Sequence, residues 1–315
     1  MGMLRHQDDL HVTRISAMMT SRIPIFPVFT QAGIDVHGSH GLFYWLRTRG
    51  KGVIIQTNNA GLVIAWRPDV KSFIALRPVG ELNAIAYLLN KVAEITLTKW
   101  PGGPFIARYC SNVVTNRMID HGWVLPPNPW SLNRPFDDEA YPEVIITSDP
   151  LEIPQGKDGN LVRKAINLNA DKYSYRTSPI PIDCGEVELI RTRAARADHY
   201  DDQEISFNEA LLAALDFRDH DAITYHYLFR GDHLSGFAVT ANTTGISHVY
   251  YAGTTKTSRL SVYFQWKIYL EERRKDASAL NLGGSETESL HTFKTRTFPK
   301  RELQQTTILQ PPHND

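Results

Sequence analysis

Near the end of this sequence a short apolar segment, Leu280-Asn281-Leu282, runs into Gly283-Gly284-Ser285. Paired glycines after a buried strand let a backbone come close to a ligand, because no Cβ stands in the way. The same pair serves equally to turn the chain. Asn281 and Ser285 can orient an amine or a carbonyl, and both also suit a strand-end turn. The surroundings are basic. From 256 to 301 there are ten Lys and Arg against five Asp and Glu, a net of +5. Lys256, Arg259, Lys267, Arg296, Lys300 and Arg301, with Arg163 and Lys164 upstream, can form a surface for phosphates without reading sequence. A solvated face explains any one of these charges as well. Tyr250, Tyr251, Tyr263 and Trp266 can stack on a nucleobase, although their spacing fits core packing better.

Other chemistries lack their residues. The histidines show no His-Glu-x-x-His spacing or other metal pair. Cys110 and Cys184 stand alone, too few for a disulfide framework or a thiolate metal site, and Cys184 has no local nucleophile signature. No P-loop or dinucleotide fingerprint is present. Across the 315 residues 34 Lys and Arg balance 34 Asp and Glu, which argues against a dedicated duplex-DNA binder. A hydrophobic share of 42% and a charged share of 22% are those of a globular protein. No apolar run reaches the roughly 20 residues that span a bilayer. His6, Asp8, Asp9, His11 and Arg14 interrupt any signal-like core at the N-terminus. The expected location is the cytoplasm.

The elements that must position these residues follow from periodicity. Gly52–Gln56, Leu62–Trp66 and Phe73–Leu76 read as a meander, turning at Asn58-Asn59-Ala60-Gly61. Leu82, Ile85, Ala86, Leu89 and Val92 give one face of a helix. A strand at Phe105–Tyr109 and a helix at Ser111–Asp120 follow. Prolines crowd 126–142, which predicts a surface crossing, and Glu143–Thr147 reads as a strand. Leu161–Tyr175 is basic and compatible with a helix. The second half opens on a strand at Glu186–Ile190 and a helix around Phe207–Leu215. A meander follows over Ile223–Phe229, Leu234–Thr240 and Ser247–Ala252, with turns rich in Gly, Asn and Asp. A helix from Ser258 to Lys275 and a short strand at Ala279–Leu282 complete it. Meander, long helix, short strand, helix thus occurs in both halves, a repeat of structure without residue identity.

The second-half order resembles the acetyltransferase-type fold, in which the strand after the helix splays open to admit an acyl donor. That fold's coenzyme A enzymes carry a glycine-rich pyrophosphate loop at the helix start. Gly253-Thr254-Thr255-Lys256-Thr257-Ser258-Arg259 stands there instead, which turns the resemblance away from acetyl-CoA. Leu280-Asn281-Leu282-Gly283-Gly284-Ser285, Leu290, Phe293-Lys294 and Phe298 resemble the end of the second lobe of Fem-type aminoacyltransferases. Related segments occur in the acyltransferase lobes of phosphatidylglycerol aminoacyltransferases. Leu161–Asn167 resembles the basic segment that opens the second lobe there. The resemblance covers about the last half of the chain.

What the resemblance implies is an α/β (α+β) fold of two tandem acetyltransferase-like (GNAT-type) lobes, each a mixed, mainly antiparallel sheet flanked by helices. The expected organisation is a flexible N-terminus at 1–22, a first lobe at 23–155, a second at 156–310 and a tail at 311–315. It further implies transfer of an amino acid from aminoacyl-tRNA to a peptide, cell-wall precursor, lipid head group or small amine, with no metal or resident cofactor. Lys294, at the family's Phe-Lys position, would stabilise the tetrahedral oxyanion. Its alternative is a surface lysine on a terminal helix. Asn281, Gly283, Gly284, Ser285, Phe293 and Tyr251 are the candidate substrate contacts. Arg163, Lys164, Lys256, Arg259 and Arg296 are the candidate tRNA contacts. An acyl-CoA N-acyltransferase and a non-catalytic binding protein of the same fold remain the alternatives.

Overall fold

The computed structural model describes residues 10–15, 41–67, 72–101, 104–125, 142–147, 159–194, 202–215, 223–243, 245–284, 288–298, 301–304 and 307–312. They form two compact units, each with its own sheet and its own apolar core.

The first unit contains β1 (His11–Arg14), α1 (Gly41–Thr48), β2 (Val53–Gln56), β3 (Ala60–Arg67) and β4 (Ser72–Gly80). It continues with α2 (Leu82–Lys99), β5 (Phe105–Cys110) and α3 (Asn112–Asp120). The strand order is β1-β2-β3-β4-β5-β13, where β13 (Thr307–Leu309) comes from the far end of the chain. Pairing is antiparallel except between β4 and β5. A parallel pair needs a crossover, and α2 supplies it. Ile85, Ala86, Leu88, Leu89, Val92 and Ala93 bury one stripe of α2 against the sheet, as their helical spacing dictates. Ser111 caps α3 by accepting from the Val114 N–H.

The second unit contains β6 (Glu143–Ile146), α4 (Asn160–Asn169), β7 (Ser174–Ser178), α5 (Glu186–Ala194) and α6 (Asp202–Leu215). It continues with β8 (Ile223–Arg230), β9 (His233–Thr243), β10 (Ile246–Thr254) and α7 (Leu260–Arg274). β11 (Ala279–Asn281), α8 (Glu288–Thr297) and β12 (Arg301–Gln304) complete it. The order is β12-β6-β11-β10-β9-β8-β7, again with one parallel pair, β10 and β11, joined across a helix, α7. Leu260, Val262, Tyr263, Phe264, Trp266, Ile268 and Tyr269 of α7 form the centre of its core. At about 1.5–3 kcal/mol for each fully buried large side chain, α7 is the main apolar anchor of this sheet.

The α/β class and the two mixed, mainly antiparallel sheets agree with the sequence reading. Several local expectations differ. Glu186–Ile190 is the start of helix α5, not a strand: Val187 is exposed while the adjacent Leu189 and Ile190 are both buried, a helical face. Ser174 and Tyr175, read as the end of a basic helix, open strand β7, an edge whose ladder to β8 outweighs its lack of apolar pattern. Residues 11–14, expected in a loose terminus, pair with β2 through their backbone while their side chains face solvent. β6 was expected in the first lobe, yet it lies between β11 and β12 in the second sheet. β12 and β13 carried no signal in the sequence reading. The proline-rich 126–141 stretch lies outside the described residues.

Candidate functional site

β11 meets β10 only at Ile246–Ala279, Ser247–Leu280 and His248–Asn281. β10 then bulges between Val249 and Tyr251 and continues along β9 to Thr254. Among the described residues it has no strand partner on the β11 side beyond His248, so the two strands part there. A bulge bends its strand and re-aims the side chains beside it.

Where β11 ends, the sequence builds a polar knot. Gly283 adopts φ 70, a left-handed conformation open to glycine at little cost. Its N–H donates to Asn281 Oδ1 at 2.7 Å, and Asn281 Nδ2 donates to Glu143 Oε2 at 2.8 Å. The Gly283 carbonyl accepts from the Val144 N–H at 3.2 Å and from Lys294 Nζ at 3.3 Å. Lys294 Nζ also donates to the Gly284 carbonyl. Asn281, Glu143 and Lys294 are all buried. The Lys294 side chain therefore turns inward from α8 onto the strand end. Buried polar groups of this kind hold their places because breaking one bond leaves a costly orphan.

His291 lies one turn before Lys294 on α8. Burial, then the positive charges of Lys294 and Arg301, push its pKa below the usual imidazole value, so it is neutral at pH 7.

The candidates sort as follows. Asn281, Gly283, Gly284 and Lys294 are joined by direct hydrogen bonds. Ser285 lies outside the described residues, as does Lys300. Phe293 packs against the apolar core of its unit. Tyr251 sits on the bulged part of β10, 5.9 Å from the Arg193 guanidinium, which donates to the Ala252 carbonyl. Arg163 and Lys164 lie on α4, whose Asn169 Nδ2 reaches the Ser258 carbonyl ahead of α7 at 3.5 Å. Lys256 and Arg259 are exposed in that same loop, Arg259 with φ 55, and Arg296 is exposed on α8.

Sequence reasoning missed Glu143, Arg193 and His291. Glu143 lies 138 residues before its partner Asn281, a separation that no spacing rule spans. Cys184 is no nucleophile at neutral pH, since burial and the neighbouring Glu186 carboxylate raise its thiol to about 11. Among the described residues no cluster of His, Cys, Asp and Glu is placed to hold a metal. No helix among them is long and apolar enough to cross a membrane.

A second polar cluster lies under the same sheet, on the α7 side. Tyr175 Oη and His226 Nδ1 are 2.6 Å apart, and His226 Nε2 lies 2.8 Å from Thr240 Oγ1. Glu272 accepts from Ser247 and lies 3.4 Å from His226 Nε2. Burial holds the His226 pKa down. For Glu272 burial pushes upward, but His226, Ser247 and Lys275 outweigh it and leave the carboxyl below its ordinary value. The neutral imidazole and the carboxylate are buried in the core, which makes this network structural.

The fold recurs in solved proteins. A conserved protein of unknown function from Bacteroides thetaiotaomicron matches 96% of this chain and 99% of its own, at 15% identity and TM-score 0.70. FemX matches 96% of this chain and 98% of its own, at 11% identity and TM-score 0.62. L-PGS from Bacillus licheniformis matches 87% of this chain and 88% of its own, at 12% identity and TM-score 0.60. The fold is the tandem acetyltransferase-like fold. No family model matches the sequence, and no curated protein does. Within the acetyltransferase-like second lobe, the Lys294 knot stands at the end of the strand that parts from its parallel neighbour.

Proposed function

We propose that this protein is an acyltransferase that moves an amino acid from aminoacyl-tRNA to an amine or hydroxyl acceptor. The observation that carries the reading is Lys294, drawn inward to the Gly283 and Gly284 carbonyls at the end of the parting strand. The acceptor nitrogen or oxygen attacks the ester carbonyl, a new bond to carbon forms, and the bond to the tRNA ribose oxygen breaks. The proton lost by the acceptor ends on that ribose oxygen. Lys294 offers a positive charge to the oxyanion between these steps. Neutral His291, one turn away, is a base of the right protonation state for the acceptor's proton. The fold shared with FemX and L-PGS supports the reading, as does the net +5 from 256 to 301.

Arg163, Lys164, Lys256, Arg259 and Arg296 then hold the tRNA by its phosphates. Filter binding of aminoacyl-tRNA across a salt series tests this. Tight binding at low salt is expected, with a log–log salt slope that falls by about one for each of Lys256→Ala and Arg259→Ala. Absence of tRNA binding at low salt, together with a rise in Tm on adding acetyl-CoA, would move the donor to coenzyme A.

A further inference from the structure

In the second unit α7 lies along β10. At one end Thr254 Oγ1 and Ser261 Oγ are 2.7 Å apart, and at the other Ser247 donates to Glu272. Between those ends Val249 and Ala252 of β10 pack against the apolar core that α7 centres. The bulge between Val249 and Tyr251 keeps Ser247, Val249, Ala252 and Thr254 on one side of the strand. Beyond His248 this stretch has no strand partner on the β11 side among the described residues. Val249 and Ala252 are only half-buried, although both face the core.

Ser261, Gln265, Ile268 and Glu272 fall at i, i+4, i+7 and i+11, which is one face of α7. Ser261 and Glu272 both reach β10, so the residues between them face the same strand. Gln265, one turn after Ser261, therefore lies under the stretch of β10 that has left β11. Only 8% of its surface is exposed. Its Oε1 is buried and has no hydrogen-bond partner among the described residues, whereas Ser261 and Glu272 on either side of it are both bonded to β10. An amide acceptor shut away without a donor is costly, and native structures keep few of them.

Such an acceptor calls for an N–H or O–H group from whatever enters between the parted strands. An acetyl group has no polar hydrogen beside its carbonyl. An aminoacyl ester carries an amino group on the adjacent carbon. We propose that Gln265 is a specificity-determining residue, whose amide oxygen accepts from the α-amino group of an aminoacyl ester lying between β10 and β11. This role rests on the donor reading of the second unit and adds to it the element that recognises the amino acid. A site built to hydrogen-bond a substrate N–H rejects the analogue without it far more strongly than an apolar pocket rejects a change of size, because its own polar atom is left unpaired.

Two hydrolysis-resistant probes test this with the full-length protein, 3′-glycylamido-3′-deoxyadenosine and 3′-acetamido-3′-deoxyadenosine, which differ only by the amino group. Calorimetric titration of the native protein should give at least tenfold tighter binding of the glycyl probe. Gln265→Met keeps the length of the side chain and removes the amide. It should bind the two probes equally, with a Tm equal to or above that of the native protein, because no orphaned acceptor remains. Equal or absent binding of the two probes by the native protein overturns the assignment. A glycyl preference that survives in Gln265→Met does so too, as does a clear fall in the Tm of that variant, which would show the amide already satisfied inside the protein. Transfer from charged tRNA by the native protein reports separately on the donor. A glycyl preference without transfer would keep Gln265 and remove the tRNA, and transfer without the preference would remove Gln265 alone.

Discussion

In the first unit the parallel strands stop pairing at Leu76 and Arg108, and both turn left-handed at the next residue. In the second they stop at His248 and Asn281, and only the shorter strand turns, two residues later at Gly283. The helices that follow begin differently as well. Glu81 alone separates β4 from α2, whereas Thr255–Arg259 separates β10 from α7. One topology thus yields two differently built parting points. The first gathers guanidinium groups over aromatic rings, and the second gathers backbone carbonyls around a single lysine. A fold repeated within a chain need not repeat its chemistry.

Four probes test that difference, in order of expected effect. Lys294→Met keeps the apolar stem and removes the charge, and should lower aminoacyl transfer by about 10²–10³-fold, in the range of losing one oxyanion donor. Circular dichroism should remain native, and full transfer would remove Lys294 from the mechanism. Glu143→Ala should destabilise the protein by about 1–3 kcal/mol, the cost of leaving the Asn281 amide buried without its acceptor. Urea melts measure this, and Glu143→Gln should recover most of the loss; identical melts for all three proteins would show that the knot contributes nothing.

The third probe is pH. The native pKa of His226 lies below its unfolded value, so between the two the unfolded chain binds more protons. Stability conferred by the neutral imidazole is complete above about pH 6.5 and is lost as pH falls through the native value. Glu272, also depressed, extends the loss in the same direction below about pH 4.5. A Tm that is flat from pH 7 to 4 would contradict this, and His226→Phe should flatten the upper part of the window. The smallest effect concerns Arg259, left-handed at φ 55 just before α7. Arg259→Gly should stabilise by at most about 1 kcal/mol by relieving that conformation, seen as a small rise in Tm.

Much of the architecture was legible because α2 and α7 each bury a helical stripe and the hairpins of β8, β9 and β10 turn at Gly-, Asn- and Asp-rich corners. Edge strands were not, since β1 and β7 are held by backbone ladders with little apolar pattern. The alternation Glu186-Val187-Glu188-Leu189 imitates a strand, and only the burial of both Leu189 and Ile190 shows the helix. Glycine pairing and a family resemblance led to Asn281, Gly283, Gly284 and Lys294, which the fold joins. Glu143 escaped because β6 reaches β11 from another part of the chain. Arg47, Arg77 and Arg108 carried no spacing signal and meet around Tyr109 only in space.

The proposed function turns on the donor proposed for the second gap. Native protein and Lys294→Met, each incubated with radiolabelled aminoacyl-tRNAs and a panel of peptide, lipid-headgroup and small amine acceptors, give the direct measurement. Label should pass from tRNA to one class of acceptor with the native protein and fall by about 10²-fold or more with Lys294→Met. Transfer from acetyl-CoA with none from any tRNA, or equal transfer by both proteins, would contradict the account.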